Sequence, residues 1–443
     1  MRNQAVLLIL FLSSLLIAWL IASTPPLFPM ALVLGTSVLI LTLIDIRIAL
    51  TGLLFSMLFS PELTIAEVPG RSVVVRADDL ILIVIFLTWF IRMGIFKEIG
   101  LIRKTPLNRP ILIFLALAVL STLRGTILGL VDFKRAFFYL LKISEYAMVY
   151  FMVANVVHTE KEAKKFYTFF WVAALLVVGY GYYNFLKGNQ VFVPFDDEPA
   201  TASGYFLILF GQCLGLMFFH PSAGIRYGAG GLFFLLIPLL ARTFSRAGYI
   251  SFIFMMFCSL FLLRRKRYLW ITGLSFVLIA PAVIKVSRKD ILFLKFLKEA
   301  SERWQYTFTG SYELAGLGFE PSAAARLESW KINTRLHFLS HPLLGVGITG
   351  TGFIDSQYVR YLNELGLAGL AAFLALLFFV YKNLKMLLNQ REAIMYLPFG
   401  ILLSFTGLLI HAITSNTFII VRIMEPFWFL MALAFHKTQD ETV

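Results

Sequence analysis

The chain has 443 residues, 59% hydrophobic and only 14% charged, with 45 phenylalanines and a mean hydropathy of +0.82. Soluble domains are about 45–50% apolar and about 25% charged, so no packed core absorbs this excess and lipid has to be the solvent, which excludes a soluble enzyme. The net charge of +14 would suggest nucleic acid in a soluble protein, but here the basic residues sit in short segments between apolar runs, where they set membrane orientation.

Apolar runs of about 15–22 residues read as helices. They fall at 5–23, 27–44, 46–60, 79–96, 110–123, 137–157, 166–186, 201–219, 227–241, 247–263, 268–285, 361–381, 394–412 and 416–435. The first is expected as a retained span and not a cleaved leader. It has no small-residue cleavage pattern, and Thr24-Pro25-Pro26 leads straight into the next run. The runs at 46–60 and 227–241 are short. Cys213 and Cys258 lie inside apolar runs and read as reduced packing residues, not a disulfide or a metal pair.

The loop charges orient the chain. Arg2, Arg47, Lys97, Lys161, the run Arg264-Arg265-Lys266-Arg267, Lys382 and Lys437 fall on one side. The other side carries fewer, among them Arg71, Arg76, Arg124, Lys134, Arg135, Arg242, Arg246 and Arg422. The positive-inside rule then predicts that both termini are cytoplasmic.

Residues 286–360 form a long polar stretch on the outer face. At 291–308, Leu292, Phe293, Phe296, Leu297 and Trp304 alternate with Lys295, Lys298, Glu299 and Glu302 as in an amphipathic helix lying on the membrane. A second helix is expected over about 323–339. A loop this long is usually functional. The expected fold is an all-α integral membrane protein of 12–14 spans: an N-terminal bundle (1–285), this loop (286–360) and C-terminal helices (361–443).

No soluble-enzyme motif stands. Gly347-Ile348-Thr349-Gly350-Thr351-Gly352 looks like a phosphate loop but lacks the preceding strand and the following Lys-Ser/Thr, and reads as a flexible turn. The six histidines show no metal-ligand spacing, so no metal and no cofactor is expected. His341, before Pro342, reads as a turn residue. Lys142 and Glu145, three apart within a span, read as a pair on one helix face or the lining of a lipid-access groove. Asp196, Asp197 and Glu198 read as solvated or as sugar contacts.

The outer-face arginines are more informative, because charge there opposes the orientation bias. Arg242 and Arg246 sit where a span begins, Arg326 and Arg335 in the large loop, and Arg124, Lys134 and Arg135 in another. Guanidinium groups bind phosphate bidentately and keep their charge. Each is either a holder of a lipid diphosphate or a contact to lipid headgroups.

Thr243-Phe244-Ser245-Arg246-Ala247-Gly248, opening a span, resembles the SRxG element of the O-antigen ligase and O-antigen polymerase superfamily. Arg326-Leu327-Glu328-Ser329-Trp330, then His341-Pro342-Leu343-Leu344-Gly345-Val346-Gly347, resemble its RxxxW and hPllGvG stretch. The segment from Asp355 through Tyr358 to Asn363-Glu364-Leu365-Gly366-Leu367-Ala368-Gly369 resembles its approach to the next helix. Arg76-Ala77-Asp78-Asp79-Leu80 resembles an upstream element. The resemblance is densest over 240–370. It implies a metal-independent, GT-C-like membrane glycosyltransferase acting on undecaprenyl-diphosphate-linked glycans at the outer face of the bacterial inner membrane.

Within that family, ligases move the polymer onto lipid A-core and polymerases join repeat units. The resemblance implies that Arg246 and Arg326 hold the diphosphate. Where the ligases carry a histidine, this chain has Asp355, which favours a polymerase. Asp355 is then the candidate general base or, alternatively, a helix N-cap. Glu328 is a second candidate base. Arg76, Arg242, Arg335 and Tyr358 are candidate substrate contacts. A chain-length regulator is a candidate partner, and nucleic acid is not expected. Repeated halves and midplane ionisable residues, which a transporter would favour, are not read here.

Overall fold

A computed structural model describes residues 27–68, 71–96, 103–263, 312–314, 317–319, 321–352, 354–389 and 394–435. The runs expected at 5–23 and 268–285 and the surface helix at 291–308 lie outside them.

The described residues form a membrane protein built of helices, with two short β-hairpins between them. In chain order come α1 (Leu27–Ile44), α2 (Ile46–Phe59), the hairpin β1 (Glu62–Val68) and β2 (Arg71–Arg76), α3 (Ala77–Phe96), α4 (Asn108–Ile127), α5 (Phe133–Val156), α6 (Glu160–Leu186), α7 (Pro199–Phe219), α8 (Ala223–Arg242) and α9 (Arg246–Leu262). A hairpin of β3 (Tyr312–Leu314) and β4 (Leu317–Phe319) leads into α10 (Pro321–Asn333) and a π turn (Thr334–Phe338), then α11 (Gln357–Asn389), α12 (Tyr396–Thr414), a 3-10 turn (Thr417–Ile419) and α13 (Val421–Ala434). Among the described residues, α4, α5, α6, α7, α8, α11 and α12 are long and apolar enough to cross a membrane. The short runs expected at 46–60 and 227–241 are both helices, α2 and α8.

Local chemistry sets the helix starts. The Asp45 carboxylate accepts the Arg47 N–H, and Asp132 accepts that of Arg135. Thr159 and Glu162 form a reciprocal capping box at α6.

The interior is built on α7, which is buried along almost its whole length. Gly204, Gly211 and Gly215 line its face toward α12 and α13. A Cβ on Gly211 would lie 2.2 Å from Ser404 Oγ, and one on Gly215 2.1 Å from the Tyr396 carbonyl oxygen. Small residues let the backbones meet, which in lipid is the main source of helix association, because apolar burial gains nothing over hydrocarbon. The Ser404 hydroxyl lies 3.0 Å from Ile208 O on α7 and 2.9 Å from Gly400 O on its own helix. The lipid-facing sides of α4, α6, α8 and α11 carry exposed Ile113, Leu175, Leu235 and Phe378.

Candidate functional site

The turn between α8 and α9 is tied down from both sides. Phe244 takes a left-handed φ of 55°, and Gln190 Nε2 donates to Thr243 O at 2.7 Å. Arg242 donates to the Gly188 and Asn189 carbonyls and lies over the Phe244 ring. Its guanidinium is therefore engaged in bracing this turn. Ser245 caps α9, its hydroxyl accepting the Gly248 N–H at 3.2 Å. The half-buried Arg246 is the first residue of that helix.

From this cap a polar chain runs inward. Ser245 Oγ lies 2.9 Å from Ser203 Oγ on α7. Ser203 Oγ lies 3.0 Å from His411 Nε2 on α12, and His411 Nδ1 lies 2.8 Å from Thr417 Oγ1. The neighbouring Asn416 donates to Ile354 O at 2.7 Å, and the Phe418 N–H donates to Gln357 Oε1 at 3.1 Å. These bonds flank Asp355, whose Oδ2 accepts from Arg326 Nε on α10 at 3.2 Å. A hydrogen-bonded chain thus runs from Ser245, the neighbour of Arg246, to Thr417, whose neighbour Asn416 holds the backbone next to Asp355 and its partner Arg326. Its middle link, His411, was not singled out in the sequence: a lone histidine inside an apolar run carries no spacing signal. His411→Ala is expected to destabilise the protein by about 1–3 kcal/mol, because it takes the partner from the buried Thr417 hydroxyl and one partner from Ser203, which keeps Ser245 and Ala200 O. Thermal unfolding in detergent, with His411→Asn as the partial replacement, checks this.

Asp355 is not the helix cap. Ser356 takes that position, its hydroxyl 3.5 Å from the Val359 N–H, and Asp355 faces Arg326 instead. The side chains of Arg326 and Asp355 are 38% and 23% exposed. A pair at this exposure contributes about 0–1 kcal/mol. It orients the guanidinium without locking it against a stronger anion.

The loop before Asp355 is held by an interlock with α11. At Gly366 the α11 backbone leaves the helix, with φ 68° and ψ −168°. That break releases backbone groups on both sides. The Asn363 and Glu364 carbonyls accept from Val346 N and Gly347 N at 3.1 and 2.8 Å, and the Leu367 and Ala368 N–H groups donate to Pro342 O and Leu343 O at 2.8 and 3.0 Å. Arg124, at the end of α4, donates to Gly345 O at 2.9 Å and meets His341 Nδ1 at 3.3 Å. Arginine only donates, so His341 Nδ1 is the acceptor and Nε2 carries its hydrogen. The glycine run expected as a flexible turn is instead pinned. Thr349, at φ 67°, gives its N–H to the buried Glu364 carboxylate at 3.1 Å, and Glu364 lies 3.0 Å from Arg360 Nε.

The remaining sequence candidates separate. Arg335 sits exposed in the π turn and Glu328 exposed on α10, two residues beyond Arg326. Tyr358 is committed to packing: its hydroxyl donates to Leu409 O at 2.9 Å. Arg76 is buried and paired with Asp78 at 2.9 Å, so its charge is used inside the protein and not offered at the surface. No ion pair joins Lys142 to Glu145; Glu145 is buried and its Oε2 has no hydrogen-bond partner. Asp196 is not simply solvated, since it pairs with Arg422 at 2.9 Å. Among the described residues no cluster of His, Cys, Asp or Glu has the geometry of a metal site.

A family model described as O-antigen ligase matches residues 231–374, from α8 into α11. Arg246, Arg326, Asp355 and the Gly366 interlock all fall within it. No curated protein matches the chain.

Proposed function

We propose, taking the O-antigen ligase match over residues 231–374 as premise, that this chain is a membrane glycosyltransferase using a lipid-diphosphate-linked glycan at the outer face of the bacterial inner membrane. The observation that carries the reading is the Arg326–Asp355 contact at 3.2 Å, on the segment that Asn416 holds next to the polar chain beginning beside Arg246. It puts a carboxylate next to a guanidinium, the two groups this reaction needs. In the reaction an acceptor hydroxyl oxygen bonds to the anomeric carbon. The bond from that carbon to the diphosphate oxygen breaks, and the diphosphate leaves with the electron pair. Arg326 and Arg246 stabilise that developing charge. Asp355 takes the hydroxyl proton.

The acceptor distinguishes two readings. Asp355 in place of a ligase-type histidine favours a polymerase, in which the acceptor is a second lipid-linked repeat unit. The description of the matching family favours a ligase, in which the acceptor is lipid A-core. Purified protein given undecaprenyl-diphosphate-linked repeat unit in EDTA is expected to build a ladder of lipid-linked oligomers. Transfer onto added lipid A-core without a ladder would establish the ligase reading instead. Asp355→Asn is expected to lower kcat about 10²–10⁴-fold, the usual worth of a positioned base, with KM little changed. Full activity in this variant removes Asp355 from the chemistry.

A further inference from the structure

Helices α3, α5 and α13 enclose a cluster of ionisable groups that the proposed reaction does not use. Asp78 and Asp79 open α3, Glu145 lies halfway along α5, and Glu425 lies one turn into α13. All four are buried, Glu425 at 0% exposure and Glu145 at 3%. Arg76 is the guanidinium among them, 2.9 Å from Asp78 and 3.6 Å from Asp79. Arg422, on the same helix as Glu425, is drawn the other way, to Asp196 at 2.9 Å and to Ser60 O at 3.0 Å. Lys142 on α5 is the next cation, only partly buried and not hydrogen-bonded to Glu145 Oε2. Ser60 donates no charge; its hydroxyl accepts the Asp78 N–H at 3.1 Å.

Several polar atoms here lack partners. Both Glu425 carboxyl oxygens have no hydrogen-bond partner, nor have Glu145 Oε2 and the hydroxyl of Tyr146. Tyr146 is buried beside Glu145 and lines a small apolar cavity with Tyr361 and Trp428. Four carboxylates facing one arginine would leave uncompensated negative charge in the protein interior. Each such ion costs several kcal/mol even after relaxation, and an orphaned charged acceptor costs more than a neutral one. A protonated carboxyl removes one charge and supplies an O–H donor for a neighbouring oxygen. A metal cation is the alternative compensation, but the described carboxylates do not converge as metal ligands.

We propose that Glu425 and Glu145, with Asp78 and Asp79 around Arg76, form a proton-binding site within the membrane, and that the folded protein holds at least one proton there at neutral pH. The proton is shared by the cluster and not owned by one residue. This goes beyond the glycosyl-transfer reading and stands or falls without it.

The sign of the linkage is fixed. Between about pH 5 and 9 an exposed carboxyl in the unfolded chain is ionised, whereas the folded cluster holds its proton. Stability therefore falls as pH rises, and the folding equilibrium constant drops about tenfold per pH unit for each proton held. The test is thermal unfolding of the full chain in detergent from pH 5 to 9, for the native protein, Glu425→Gln and Glu145→Gln, with infrared spectra in D₂O. The native protein is expected to melt at lower temperature as pH rises and to show a protonated-carboxyl band at pH 7. Glu425→Gln, which keeps shape and an N–H donor, is expected to flatten the slope, remove the band and melt higher than the native protein at pH 9. A native protein with no protonated-carboxyl band at pH 7 overturns the proposal, even if the variants fail to fold. So does a slope unchanged in both variants. A rise in melting temperature when sodium replaces choline at fixed pH, lost in Glu425→Gln, would assign the site to a metal cation and also overturn it.

Discussion

Arg326→Ala is expected to lower the rate of glycosyl transfer from a lipid diphosphate by about 10²–10³-fold, the usual effect of losing one donor aimed at developing negative charge. The same substitution is expected to leave the fold nearly untouched. The Arg326 side chain is 38% exposed, and its pair with Asp355 contributes about 0–1 kcal/mol. A large loss of rate with an unchanged melting curve is the signature of a chemical role; a structural role would move both. Arg246→Ala is expected to behave alike in rate. If both arginines grip one diphosphate, the double variant is expected to fall well short of the product of the single losses. Arg326→Lys is not expected to rescue, because an ammonium lacks the planar fork that meets two phosphate oxygens at once. The measurement is a steady-state assay with lipid-linked substrate in EDTA, alongside melting curves. Native rates in both single variants would end the arginine-clamp reading.

Gly366→Val is expected to be the most damaging single substitution for folding. Gly366 adopts φ 68° and ψ −168°, a conformation essentially confined to glycine and costing about 1–3 kcal/mol for other residues. An added Cβ would also lie 2.4 Å from Leu343 O and 2.6 Å from Gly345 N. The strand-like exchange between 342–347 and 363–368 would have to open, and its four backbone hydrogen bonds are each worth about 0.5–1.5 kcal/mol net. The loop that carries Asp355 hangs from that exchange, so activity is expected to disappear with the fold. Gly179→Val is the control, since nothing lies within 4 Å of a Cβ there. Size-exclusion profiles and melting curves separate the two. A Gly366→Val protein that elutes and melts like the native one would refute the interlock.

Much of this was readable along the chain. Apolar runs near 20 residues mark α4 through α8, α11 and α12, because a helix is the segment that satisfies its own backbone in lipid. The helix expected at 323–339 is present as α10 with its π turn. Motif order made Arg326 and Asp355 candidates for one site, but their contact, across 29 residues of sequence, is visible only in the fold.

What stayed hidden has a common cause. His411 and Glu425 carry no spacing signal, and nothing in a one-dimensional pattern says that Ser203 meets one or Arg76 approaches the other. Arg76 and Tyr358 read as candidate substrate contacts, yet both engage internal partners. The run from Gly347 to Gly352 read as a flexible turn, and the fold pins it through the backbone exchange around Gly366 and the Thr349–Glu364 bond. Hydropathy and charge bias are properties of single segments, so the order of residues alone carries the spans and the membrane class. Which carboxylate faces which arginine depends on helices far apart in sequence coming within hydrogen-bond reach, and only packing in three dimensions settles that.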